Sequence, residues 1–192
     1  MRDAILRKVG ESAELATSFF TTCAPQLERV ARLLAESFER GGRLYVMGNG
    51  GSACDAMHVA VEFQHPIIEK RRALPAASLV TDAAQLTAVA NDGDFAQVFA
   101  TQLARVTQHD AVLGISTSGT AANVLRGIRV ARERGALTIA FTGRDGGPLA
   151  DTCHHAFVVP SWSIHRIQET HVILLHVLWD QLHVALGEDD VL

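Results

Sequence analysis

Residues 44–63 read LYVMGNGGSACDAMHVAVEF. Leu44 to Gly48 form an apolar run that ends on the turn Gly48-Asn49-Gly50-Gly51-Ser52. Apolar residues then recur at helical spacing, and His58 and Glu62 fall one turn apart on a single helix face. Strand, glycine turn and helix in succession make the opening unit of an open α/β sheet. Ligands of such sheets gather at the carboxyl ends of strands, where helix N-termini present free N–H groups and a positive dipole end. The glycine turn fits an anion, because glycine lets the backbone approach closely. The His/Glu pair fits metal ligation or proton transfer, although an amphipathic helix can also carry such a pair as surface decoration.

The rest of the chain repeats the opening unit. AASLV, AVLGIS, LTIAFTG and HAFVV are further short apolar runs, and helical patterns lie near 53–65, 83–91, 94–106, 121–134 and 164–186. Continuous β-branched runs, each followed by a helix, describe parallel strands covered on both faces. Residues 1–40 have helical spacing, with Pro25 predicted to separate two helices. The expected architecture is one α/β domain over residues 1–192, a doubly wound parallel five-stranded sheet flanked by helices and preceded by an N-terminal helical hairpin.

Composition bounds the partners. A net charge of -4 on 192 residues gives no electrostatic footprint for nucleic acid. The basic run Glu69-Lys70-Arg71-Arg72 is short, lacks interleaved aromatics, and reads as a solvated loop. Three cysteines, Cys23, Cys54 and Cys153, lack metal-type spacing and fit a reducing compartment. The N-terminal stretch lacks a signal-peptide core, and HVILLHVLW is too short to cross a bilayer. The expected location is the cytoplasm.

A second loop with ligand chemistry, Ser116-Thr117-Ser118-Gly119-Thr120, follows VLGI. Its hydroxyls are neutral donors to phosphate or sugar oxygens, and together the two loops predict a phosphorylated polyol. Residues 48–53 also spell G-x-G-x-x-A, a permissible dinucleotide fingerprint. That reading needs an acid about 20 residues further on, at the end of the next strand, where PIIEKRRAL stands ahead of the strand and Asp82 is the nearest acid past it.

The blocks GNGGSACDAMH, AVANDGD, LGISTSGTAANVL, TGRDGG and RIQETHVILLHVL, in this order, resemble the sugar isomerase (SIS) fold of the phosphoheptose isomerase family. The resemblance implies interconversion of sedoheptulose 7-phosphate and D-glycero-D-manno-heptose 7-phosphate, by a homotetramer with sites between subunits and one zinc ion per site. Residues 1–40 would be its oligomerisation element. It further implies that Asn49, Gly50, Gly51, Ser52, Glu62, Asn91, Asp92, Ser116, Thr117, Ser118, Thr120 and Gln168 contact substrate. His58, Glu62, Gln168 and His176 would form the metal cluster, with Glu62 the base and His176 its acid/base partner.

The chemistry agrees in residue type. A carboxylate suits proton removal from carbon, and a histidine shuttles protons among oxygens near neutral pH. Gln168 and His176 are harder to reconcile, since eight helical residues put them roughly 12 Å apart along the axis. His176 also fits a core histidine in ILLHVLW, and Asp92 a cap for a helix starting near Asp94. His65, His165, His171 and His183 carry no expected role. Departures from the family pattern include Thr120-Ala121 for the usual Asn-Ser and the divergent segments around 63–75 and 160–166. The rival reading is a non-catalytic protein on the same fold, a sugar-phosphate sensor or an associate of the replication initiator. Retention of His58, Glu62 and His176 together favours the enzyme.

Overall fold

The computed structural model describes residues 1–67 and 71–190. Its strands are β1 (Leu44–Gly48), β2 (Ala76–Ser78), β3 (Ala111–Ser116), β4 (Leu137–Gly143) and β5 (His155–Val159). They form one all-parallel sheet in the order β2-β1-β3-β4-β5. Its helices are α1 (Arg2–Glu39), α2 (Gly51–Gln64), α3 (Ala83–Asp92), α4 (Ala122–Glu133), α5 (Gly147–Thr152) and α6 (Ile164–Ala185). The three central strands are apolar on both faces, as burial between two helical layers demands. On one face Leu44, Val46, Leu113, Ile115 and Phe141 pack with α1, α2 and α6. On the other, Met47, Val112 and Ala140 pack with α4, α5 and the segment around Phe99.

The predicted N-terminal hairpin is instead one continuous helix with Pro25 inside it. Proline costs the helix the bond to the Thr21 carbonyl. The stripe Phe19, Cys23, Leu27, Val30 and Leu34 nevertheless continues across Pro25 and is buried throughout, and that burial favours one continuous helix. The helix expected over 94–106 is two short 3₁₀ turns, Phe95–Gln97 and Gln102–Arg105. Here the Gln102 side-chain amide donates to the Val98 carbonyl at 2.9 Å, taking the acceptor that an α-helix would give to the Gln102 backbone N–H.

The basic run is also corrected. Glu69 and Lys70 lie outside the described residues, but Arg71 is buried and paired with Asp180. Cys23, Cys54 and Cys153 are all free thiols. Among the described residues, no helix is long and apolar enough to cross a membrane.

Candidate active site

The strand order reverses direction between β1 and β3, the point where open α/β sheets bind ligands. Both predicted loops leave the sheet there. The first passes from β1 through Asn49 to Gly50, whose φ of 56° is left-handed, and then starts α2. The second leaves β3 at the buried Ser116, and Gly119, at φ 66°, packs against the next loop. A Cβ on Gly119 would lie 1.9 Å from the Gly146 carbonyl oxygen, so only glycine allows this approach. The Ser118 and Thr120 hydroxyls share a hydrogen bond of 2.8 Å.

Asn123, at the start of α4 and absent from the sequence reading, ties the loops together. Its amide and that of Asn49 exchange two hydrogen bonds of 2.8 Å each, and its Oδ1 also accepts from the Val124 N–H. The only sequence signal was an asparagine in the first turn of a helix after a hydroxyl loop.

α2 and α6 run side by side in the same direction. Gly51 faces Gln168, His58 faces His176, and Glu62 faces Trp179. The roughly 12 Å between Gln168 and His176 along α6 is therefore matched by the advance of α2. Gln168 meets the glycine turn, where a Cβ on Gly51 would come 2.2 Å from its Nε2. Eight residues later His176 stacks edge-on against His58, with ring centroids 4.9 Å apart.

His58 Nε2 lies 3.3 Å from a Glu62 carboxylate oxygen, and one ligand atom from each of His58, Glu62 and His176 falls within 4.8 Å of the other two. Two imidazoles and a carboxylate, partly exposed, match the donor set of a zinc site with a position left open. One turn before His58, Asp55 is buried with its Oδ2 unpartnered, and burial pushes its carboxyl up to about 6, against a smaller opposing pull from His58. Nothing local in the sequence distinguishes Asp55 from a surface acid.

The SIS-domain family model matches residues 9–143. Across 189 residues the chain is 43% identical to the phosphoheptose isomerase of Aquifex aeolicus, covering 98% of this chain and 99% of that protein. The chain belongs to the phosphoheptose isomerase family. Solved structures agree: the phosphoheptose isomerase from Francisella tularensis superposes with a TM-score of 0.90 at 32% identity, over 95% of this chain and 97% of that one. The one from Neisseria gonorrhoeae does so with a TM-score of 0.86 at 35% identity, over 94% and 97% respectively.

Other residues that the family resemblance assigned to substrate have mixed surroundings. Asn91 and Asp92 end α3, exposed, with the Asn91 amide donating to the Asp92 carboxylate at 2.8 Å. Asp92 caps no helix; the 3₁₀ turn Phe95–Gln97 is capped by Asp94, whose carboxylate accepts from the Ala96 N–H. Ser52 is buried under Gly48, while Thr117 and Ser118 are partly open. Among the histidines without an expected role, His171 and His183 are fully buried.

Proposed function

We propose that this chain is an isomerase interconverting sedoheptulose 7-phosphate and D-glycero-D-manno-heptose 7-phosphate. The observation that carries the reading is the meeting of His58, Glu62 and His176 in a member of this family whose α2, the helix of His58 and Glu62, begins at an anion-suited loop. The loops, through Gly50, Gly51, Ser116, Thr117, Ser118 and Thr120, hold the phosphate and sugar hydroxyls by backbone N–H groups and neutral donors. Asn49, Ser52, Asn91, Asp92 and Gln168 complete the substrate contacts.

The reaction moves a carbonyl from C2 to C1 without net oxidation. Glu62 takes a proton from C1, the C1–H electron pair becomes a C1–C2 double bond, and the C2 carbonyl oxygen becomes an enediol oxygen. His176 transfers a proton between O1 and O2, and Glu62 returns its proton to C2. One Glu62 oxygen faces His58 at 3.3 Å, and the other is assigned the carbon proton.

Zinc is the proposed metal, held by His58, Glu62 and His176; Gln168, packed against Gly51 at the glycine turn roughly 12 Å along α6 from His176, is kept as a substrate contact and not as a ligand. It would polarise the substrate carbonyl and stabilise negative charge on oxygen. A homotetramer with sites between subunits is the proposed assembly, with the exposed Ile5, Leu6 and Val9 of α1 supporting its role as the oligomerisation element.

Incubation with sedoheptulose 7-phosphate, with and without zinc, followed by NMR for the aldose, tests the reading. Wild type should turn over, and Glu62→Gln should lower kcat by roughly 100-fold or more while substrate still binds. An inactive wild type removes the assignment, and an active Glu62→Gln removes Glu62 as base.

A further inference from the structure

Glu62 sits in the last turn of α2, where a helix frays and its carbonyls lose their donors. Its own carbonyl would accept from the N–H four residues on, but residue 66 is proline. The chain has in any case left the helix by His65, at φ -135° and ψ 72°. The carbonyls on either side are satisfied by backbone, Val61 by the His65 N–H at 2.8 Å and Phe63 by the Leu74 N–H at 2.7 Å. Glu62 alone of the three takes a side-chain donor, the Trp179 indole Nε1–H, at 3.0 Å.

That indole is itself held. Trp179 is 4% exposed, and the Arg71 guanidinium lies 4.7 Å from its ring centroid. Arg71 Nη1 is 3.2 Å from an Asp180 oxygen, close enough for an ion pair though not aligned as a hydrogen bond. Arg71 Nη2 also donates to the Asp189 carbonyl at 3.4 Å, and the His183 ring stacks edge-on against the indole. A buried side chain packed against both Arg71 and His183 is a rigid donor.

The geometry points to Trp179 as a positioning residue for Glu62, with Arg71 and Asp180 fixing the indole. Pro66 leaves the Glu62 carbonyl without its next backbone donor at the end of α2, and α6 supplies one from the same stretch that carries His176. One helix thereby fixes both proposed proton-transfer groups relative to each other. This inference rests on the isomerase reading, so one arm of its test does not use activity.

Trp179→Phe keeps the ring for Arg71 and removes only the N–H. Loss of an outer partner of this kind typically lowers activity or metal affinity by about 10- to 100-fold. The expected result, at unchanged circular dichroism and gel-filtration volume, is a kcat loss in that range with KM within about twofold, and weaker binding of zinc alone by calorimetry. Arg71→Lys keeps a cation for Asp180 and forfeits the planar stack, so it should move both readouts the same way by less. If Trp179→Phe does not fold, Arg71→Lys decides. Wild-type kcat together with wild-type zinc affinity in a folded variant overturns the inference. An inactive wild type overturns the isomerase reading instead, and the zinc titration then decides between the two tryptophan outcomes.

Discussion

Lowering the pH from 7.5 to 5 should cost the folded chain roughly 2 kcal/mol through His171 alone. His171 is 0% exposed on the sheet side of α6, its Nε2 is 3.1 Å from the Thr142 carbonyl, and its Nδ1 has no partner. The neutral ring fits, donating Nε2–H to Thr142. A proton on Nδ1 would find no acceptor, with the Phe141 ring as neighbour. Burial therefore holds the imidazole down at about 4, against a smaller upward pull from the Thr142 carbonyl, where the free value is 6.5. A depressed histidine contributes stability that is intact above pH 6.5 and is lost as pH falls toward 4. At pH 5 the unfolded chain is almost fully protonated at this site and the folded chain about one-tenth so, which converts to the roughly 2 kcal/mol above. His154, His155 and His183 are shifted in the same direction, while Asp55 and Asp180 are shifted upward and act oppositely. Comparison with His171→Leu cancels them. Urea unfolding of both proteins at both pH values should show the stability gap move by about 2 kcal/mol in favour of the variant at pH 5. A gap that stays constant refutes the neutral buried ring.

Asp55→Asn should stabilise the protein at pH 7.5 by up to about 3 kcal/mol, and the gain should vanish toward pH 4, read by urea midpoints. The sign follows from the raised carboxyl, whose contribution to stability is complete below 3.8 and lost as pH rises through about 6. Gly119→Ala combines left-handed strain of about 1–2 kcal/mol with an overlap on the Gly146 backbone. It should lower Tm by several degrees and raise the KM for sedoheptulose 7-phosphate, as measured by thermal melts and the NMR assay. Gly51→Ala meets only the flexible end of Gln168, so Tm should hold while kcat/KM falls about tenfold through displacement of that amide.

The strands were legible because each is a continuous apolar run, a pattern that survives without knowledge of its neighbours. Pro25 misled because the rule for proline is local, whereas the helix is held by a stripe that aligns with α6 on both sides of the break. Arg71 misled for the same reason. A basic residue in a basic run looks solvated until Asp180, more than a hundred residues later, is known to lie 3.2 Å away. In the candidate site, the i,i+4 spacing put His58 and Glu62 on one helix face, but only the flanking glycine loop and the family resemblance separated them from surface decoration. The roles of Asn123, Asp55 and Trp179 were not, because each depends on burial or on a partner supplied by another element.

The approach of His176 to that pair follows from the topology. Every helix that follows a strand of a parallel sheet starts at the carboxyl edge and runs back antiparallel to the strands. α2 follows β1 and α6 follows β5, so the two are parallel to each other. Side chains on an α-helix tilt toward its N-terminus. In a parallel pair they tilt the same way, and here that is toward the carboxyl edge where the two loops sit. His58 and Glu62 on one helix and His176 on the other therefore lean together toward the ligand end of the sheet. An antiparallel partner would have tilted its histidine toward the opposite edge. The site thus needs no special loop to bring residues 58 and 176 together. It needs only that both helices leave the same edge of the sheet and touch along their length.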